Sequence, residues 1–239
     1  MKIIFFSDIH GNLLAMESFC EAIKRIPYDR IIFCGDIMGY GYYADKVCDV
    51  MQRLDIWSVM GNHDQMYIDA FEDKTSEIRL VDKYGASFKD IKTILSEDNR
   101  LYIANAKQEI DVEDNGLKIK VIHGSLDNPL NGRIYPDTDI LNTQLYGEYD
   151  FIFEGHTHYR MIRRIGKTLV VNPGSIGLPR DGGKPSFLVF DTESRELFFE
   201  ECSYDYNSIK LDILQHENEN TAKRMIEVWN RIEGKRDEN

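Results

Sequence analysis

The chain has 239 residues, 42% hydrophobic and 29% charged. That is the composition of a soluble globular protein with chain enough for one large domain or two small ones, which excludes a disordered or membrane-embedded polypeptide. Its net charge of -12 repels duplex DNA, RNA and anionic lipid at long range, while small phosphorylated molecules stay open because a local metal charge can overrule the global field.

The chain opens on Ile3-Ile4-Phe5-Phe6, broken at Ser7-Asp8 and too short and polar for a bilayer span or a signal peptide. Asn12 then caps a predicted helix whose Leu13, Met16, Phe19, Cys20, Ile23 and Ile26 recur at three- and four-residue intervals up to Pro27. A second strand, Ile31 to Cys34, runs into Gly35-Asp36. A second helix is expected over Ala44 to Leu54, and a third strand, Ile56 to Met60, runs into Gly61-Asn62-His63-Asp64. This β-α-β-α-β order predicts a parallel, right-handed unit with its ligand-bearing loops at the carboxyl ends of the strands.

Gln65 to Ser96 reads as two or three helices. Asp114-Asn115-Gly116 marks a hairpin, after which Leu117 to Ile122 leads to His123-Gly124, and Phe151 to Phe153 leads to Glu154-Gly155-His156-Thr157-His158. The remainder predicts antiparallel strands at Arg160 to Ile165, Thr168 to Val171, Ser186 to Phe190 and Leu197 to Cys202, then a polar tail with an amphipathic helix around Thr221 to Ile232. Without repeat or linker, residues 1–239 are expected to form a single domain with two sheets. Cys20, Cys34, Cys48 and Cys202 form no Cys-x-x-Cys pair and read as reduced packing residues of a cytoplasmic protein.

One event therefore recurs five times: an apolar strand followed at once by a polar loop. Five of the six histidines, His10, His63, His123, His156 and His158, stand in those loops with Asp8, Asp36 and Asn62. Singly each reads as an ordinary polar residue. Together they would be costly to desolvate without a cation to gather around. Nitrogen and oxygen donors without thiolate suit Mn²⁺, Fe, Zn²⁺, Ni²⁺ or Co²⁺, and eight groups exceed the needs of one ion, so two divalent ions are the economical reading.

In order, Asp8-Ile9-His10-Gly11-Asn12, Gly35-Asp36, Gly61-Asn62-His63-Asp64, His123-Gly124 and Gly155-His156-Thr157-His158 resemble the five blocks of the calcineurin-like metallophosphoesterases. Val171 to Gly177 and Pro179 to Gly182 further resemble their small prokaryotic phosphodiesterase and phosphatase branch. The resemblance implies an α/β fold, a four-layer α/β/β/α sandwich of two mixed β-sheets flanked by helices, with the metals at the strand carboxyl ends. It implies that Asp8, His10 and His158 hold one metal, that Asn62, His123 and His156 hold the other, and that Asp36 bridges them. A metal-bridging hydroxide would attack phosphorus in line, and Mn²⁺ is the first expectation for the metals, with Fe, Ni, Zn, Co or Mg as substitutes. His63 would protonate the leaving oxygen, and Asp64 is either its orienting partner or a helix cap.

The chain also departs from this family. The Ser/Thr protein phosphatases of the superfamily continue Gly-Asp into Asp-Arg-Gly, whereas here Ile37-Met38-Gly39-Tyr40-Gly41 follows, which leaves the phosphate-gripping arginine unassigned. Arg180 is the candidate for that role, and Tyr40, Tyr42 and Tyr43 are candidates for the mouth of the site, where they could stack a base. Arg160, Arg163, Arg164 and Lys167 read as a solvated face, and the acidic balance argues against a nucleic acid polymer as partner. The expected activity is hydrolysis of a small phosphodiester, nucleotide or phosphomonoester, with the diester favoured. The alternatives are a diadenosine-polyphosphate hydrolase and a catalytically silent metal-binding scaffold, and a homo-oligomer stays open.

Overall fold

The computed structural model describes residues 1–139 and 143–234. Its first sheet takes β1 (Lys2–Phe6), β2 (Arg30–Phe33) and β3 (Trp57–Ser58) in parallel, with β9 (Ser186–Asp191) and β10 (Glu196–Glu201) added antiparallel, in the order β10-β9-β1-β2-β3. The second takes β4 (Glu109–Asp114), β5 (Leu117–Ile122), β6 (Phe151–Phe153), β7 (Arg160–Ile165) and β8 (Thr168–Pro173) in the order β4-β5-β6-β8-β7. Both sheets are mixed: β5, β6 and β8 run parallel, and the outer strands β4 and β7 pair antiparallel. Asn115 (φ 50°) and Gly116 (φ 72°) both take the left-handed conformation that a two-residue hairpin between β4 and β5 demands.

The two-residue period of β1 divides the core. Ile4 and Phe6 face a helical layer containing Phe19, Val47, Tyr67 and Phe88, while Ile3 and Phe5 face the other sheet, where Val121, Phe153, Val171 and Phe190 fill the space between the sheets. Phe5 and Phe153 stack at 3.6 Å with their planes 4° apart. The far face of the second sheet is covered by Leu126, Ile134, Tyr146 and Tyr149 of the connection between β5 and β6. Among the described residues that connection contains a 3₁₀ turn over Thr143–Glu148.

Among the described residues seven α-helices flank the sheets. The first, α1 (Leu13–Ile23), buries Ala15, Met16, Phe19 and Ile23, and Asn12 caps it by accepting from the Ala15 N–H. In α2 (Ala44–Arg53), Val47, Cys48 and Met51 are buried, with Asp45 in the first turn and Arg53 in the last, the arrangement that the helix dipole favours. Next come α3 (Asn62–Phe71), α4 (Lys74–Tyr84) and α5 (Glu97–Ala104), the last beginning only after Ser96. The tail holds two helices where one was expected: α6 (Tyr206–His216) precedes α7 (Glu219–Ile232). Within α6 only Ile213 is fully buried, so its apolar period is weak and the cap Asp205 is its clearest local signal.

The four cysteines are free, and three of them are buried. Among the described residues no helix is long and apolar enough to cross a membrane. Replacing Phe153 by Ala should lower stability by about 3–5 kcal/mol, seen as a lower urea midpoint at an unchanged m-value.

Candidate metal centre

Five loops carry Asp8, His10, Asp36, Asn62, His63, His123, His156 and His158 to one buried locus at the carboxyl ends of the parallel strands in both sheets. Three sets of ligand atoms lie within 4.8 Å of one another: Asp8, His10 and His158; His10, Asp36 and His63; and Asp36, His123 and His156. The predicted ligand groups are thus brought together, with His10 and Asp36 each belonging to two of the sets.

The imidazoles are aimed from behind. Nδ1 of His10 donates to Met38 O at 2.7 Å, that of His158 to Leu178 O at 2.6 Å, and that of His123 to Cys34 O at 2.7 Å. A carbonyl only accepts, so each Nδ1 carries a proton and each Nε2 faces the cluster. Nε2 of His10 then lies 3.1 Å from Nε2 of His158, and Nε2 of His123 lies 3.1 Å from both Asn62 Oδ1 and His156 Nδ1. Two neutral imidazoles presented this way place lone pair against lone pair, an arrangement that a cation between them makes favourable.

The carboxylates are equally placed. Asp8 accepts the His156 N–H and has Oδ1 3.3 Å from His158 Nε2, while Asp36 accepts the His63 N–H at 2.8 Å and has Oδ2 3.4 Å from His123 Nε2. Burial raises the Asp8 carboxyl, but the neighbouring His158 charge outweighs it and brings the group down to about 2. Burial opposes charge on His123, yet Asp36 lifts it to about 9. Burial pushes His10 well below its ordinary value and brings His63 and His156 to about 4.

Backbone strain gathers at the same place. Among the described residues, six of the ten non-glycine positions with positive φ are Asp8, His10, Asp36, Tyr40, His156 and His158. Gly61 leaves room for the cluster: a Cβ there would lie 2.0 Å from Asp36 Oδ1. Asp64 makes the strained loop affordable. Its carboxylate accepts the N–H groups of Asp36, Ile37 and Met38 and, at the start of α3, that of Gly61. It is a cap and a loop anchor, and its four hydrogen bonds go to backbone rather than to the His63 ring.

His63 sits in an aromatic enclosure, with ring centres 4.6 Å from Tyr84, 5.4 Å from Tyr40 and 6.1 Å from Phe88, and its Nδ1 is buried without a hydrogen-bond partner among the described residues. Tyr40 also meets the His10 ring edge-on at 5.0 Å, and its hydroxyl receives a hydrogen bond from Arg180, whose N–H reaches His158 O. Tyr42 and Tyr43 point elsewhere. Tyr42 stacks on His216 and donates to Glu217, and Tyr43 donates to Asp212. The basic stretch on β7 is occupied: Arg160 pairs with Asp181 and Glu201, Arg163 bonds Tyr135 O, and Arg164 bonds Lys167 O.

Two charged residues escape the motif reading. Arg133 follows a tight loop in which Gly124 N–H bonds Pro129 O and a Cβ on Gly124 would lie 2.7 Å from Gly132 N. The loop returns to His123, and the Arg133 guanidinium is among the charges that lower His156. A glycine-rich Asn131-Gly132-Arg133 soon after His123-Gly124 was its only local signal. Glu154 is fully buried with neither oxygen hydrogen-bonded, and burial pushes its carboxyl well up.

A family model described as the calcineurin-like phosphoesterase superfamily domain matches residues 1–195. An uncharacterized protein of Methanocaldococcus jannaschii is 28% identical over 223 residues, spanning 85% of this chain and 88% of its own length. Phosphodiesterase YfcE of Escherichia coli is 24% identical over 203 residues, spanning 81% and 89%. Among solved structures, a metallophosphoesterase from Sphaerobacter thermophilus superposes with a TM-score of 0.75 at 23% identity, over 95% of this chain and all of its own, and shares the fold.

The buried titrations set a pH profile for the metal-free protein. His123, raised to about 9, contributes stability that is complete below its ordinary 6.5 and is lost as pH rises through 9. His63 and His156, lowered to about 4, contribute stability present above 6.5 and lost as pH falls through 4. These three groups place the maximum near pH 6.5, to be checked as Tm against pH after chelation.

Proposed function

The chain belongs to the calcineurin-like phosphoesterase superfamily of metal-dependent hydrolases, and from that membership we propose that it is a dinuclear metal phosphodiesterase acting on a small phosphodiester. One observation carries the reading: the Nε2 atoms of His10 and His158, their Nδ1 protons committed to backbone carbonyls, face each other at 3.1 Å beside Asp8. The donors fit a cation on the geometry and chemistry of this chain alone, being buried, free of thiolate and aimed inward.

In this reading Asp8, His10 and His158 would hold one divalent ion and Asn62, His123 and His156 a second, with Asp36 shared between them. Bound, such a pair supplies a water of lowered pKa and positive charge for phosphoryl oxygens; Mn²⁺ is the metal we propose. The protein does the rest. Carbonyls behind the histidines hold their tautomers, and Asp64 holds the loop that presents Asp36. His63, screened from water by Tyr40, Tyr84 and Phe88, delivers a proton to the departing ester oxygen. Arg180, whose backbone N–H bonds His158 O, supplies a cationic contact at the edge of the centre, replacing the arginine of the absent Asp-Arg-Gly segment.

A small diester is favoured over a dinucleoside polyphosphate because Tyr42 and Tyr43 are committed to His216, Glu217 and Asp212, which leaves Tyr40 alone of the three facing the centre. A silent scaffold would have no use for a histidine enclosed at the edge of a complete donor set. We further propose that residues 1–239 work as a single domain in the cytoplasm.

Chelation should abolish hydrolysis of a chromogenic diester and Mn²⁺ should restore it, with the matching monoester turned over more slowly. His63→Ala should lower kcat by roughly 10²–10⁴-fold with metal content unchanged. Preference for the monoester would make the protein a phosphatase, and a metal-loaded protein inactive on both would favour the scaffold. Arg180→Ala should raise KM several-fold with kcat little changed, the mark of lost uniform binding; an unchanged KM removes Arg180 from the site.

A further inference from the structure

Glu217 follows α6, beyond the matched residues 1–195, yet its carboxylate joins two segments far apart in the chain. Oε1 accepts from the Tyr42 hydroxyl at 2.9 Å and from the Ala86 N–H at 2.6 Å. Gly85, at φ +84°, passes so close that a Cβ there would lie 2.3 Å from the same oxygen. Neighbouring groups reinforce the join. The His216 ring stacks on Tyr42 at 4.2 Å and 12°, and Arg224 of α7 donates to the carbonyls of Asp82 and Lys83 at 3.3 and 3.4 Å.

Both joined segments wall His63. Tyr40 lies two residues before Tyr42, Tyr84 immediately before Gly85, and Phe88 two residues after Ala86, and all three rings pack around the imidazole. A Cβ on Gly39 would lie 2.3 Å from His63 Nδ1, so the fit is close on that side as well. Since Nδ1 has no hydrogen-bond partner among the described residues, these walls fix the plane of the ring, which a carbonyl acceptor helps to fix for His10, His123 and His158.

We infer that Glu217 is a positioning residue for His63: by tying the Tyr42 loop to the Gly85-Ala86 turn, the segment joining α6 to α7 sets how well His63 protonates the leaving group. The inference rests on the phosphodiesterase reading. It makes a prediction that fold destabilisation does not, because only an ester with a poor leaving group depends on proton delivery.

The test compares methyl phenyl phosphate with methyl p-nitrophenyl phosphate, whose leaving group departs with little need of a proton. Glu217→Ala should lower kcat on the phenyl ester by about tenfold or more while the p-nitrophenyl ester loses less than about threefold, with bound Mn²⁺ unchanged. Glu217→Gln retains an Oε1 acceptor for both donors and should restore the phenyl ester. Tyr42→Phe removes one of the two hydrogen bonds while keeping the ring, and should shift the ratio of the two rates the same way more weakly; it carries the test if Glu217→Ala does not fold. Equal losses on both esters, or an unchanged ratio in both variants, would overturn the role of Glu217. A Mn²⁺-loaded wild type inactive on both esters would instead overturn the phosphodiesterase reading and the inference with it.

Discussion

Crowding of imidazole nitrogens around Asp8 and Asp36 is the constraint on which the rest of this structure depends. The backbone carbonyls of Cys34, Met38 and Leu178 take the outer protons of His123, His10 and His158, so the inner nitrogens converge a few ångströms apart. Nothing in a hydrophobic core favours that arrangement, and burial alone would disperse it. Its persistence at the ends of two separate sheets shows where the fold's stability has been committed. The apolar layer between the sheets, with Phe5 stacked on Phe153, holds the β1 and β6 ends in register so that loops from each can share one site.

Local backbone conformations are subordinate to the same constraint. Positive φ at Asp8, His10, Asp36, His156 and His158 turns side chains inward that ordinary strand ends would send outward. Asp64 is the clearest compensating device: one buried carboxylate accepts four backbone N–H groups and closes α3 against the loop after β2. A residue adjacent to His63 in sequence thereby serves Asp36, its distant neighbour, more directly than His63.

His63 is built differently from His10, His123 and His158. Among the described residues it has no carbonyl behind it, only rings, and those rings belong to segments tied together by Glu217 between α6 and α7. An imidazole that must gain and lose a proton is better held by shape than by a hydrogen bond that would bias one tautomer. In the proposed mechanism His10, His123 and His158, held by hydrogen bonds, would be metal ligands, and His63, held by packing, would be the proton carrier.

Much of this was legible in the chain itself. The strand runs ending in Asp8, Asp36, Asn62, His123 and His156 announced both the parallel units and the donor set, because a strand's apolar run and the loop after it are local features. The Asn115-Gly116 turn and the Asn12 cap were legible for the same reason. Other features were decided only by the folded structure. Whether Asp64 faced His63 or the Asp36 loop depended on a contact between residues 28 apart, and the fate of Tyr42 depended on α6, whose weak period hid it. Arg133 and Glu217 carry no motif, since their importance comes from what the chain brings beside them. Sequence by itself determined which chemical groups were available and at which strand ends. Only the tertiary structure decided which of them meet, because hydrogen-bond partners and ring contacts between distant segments exist only once the two sheets have packed.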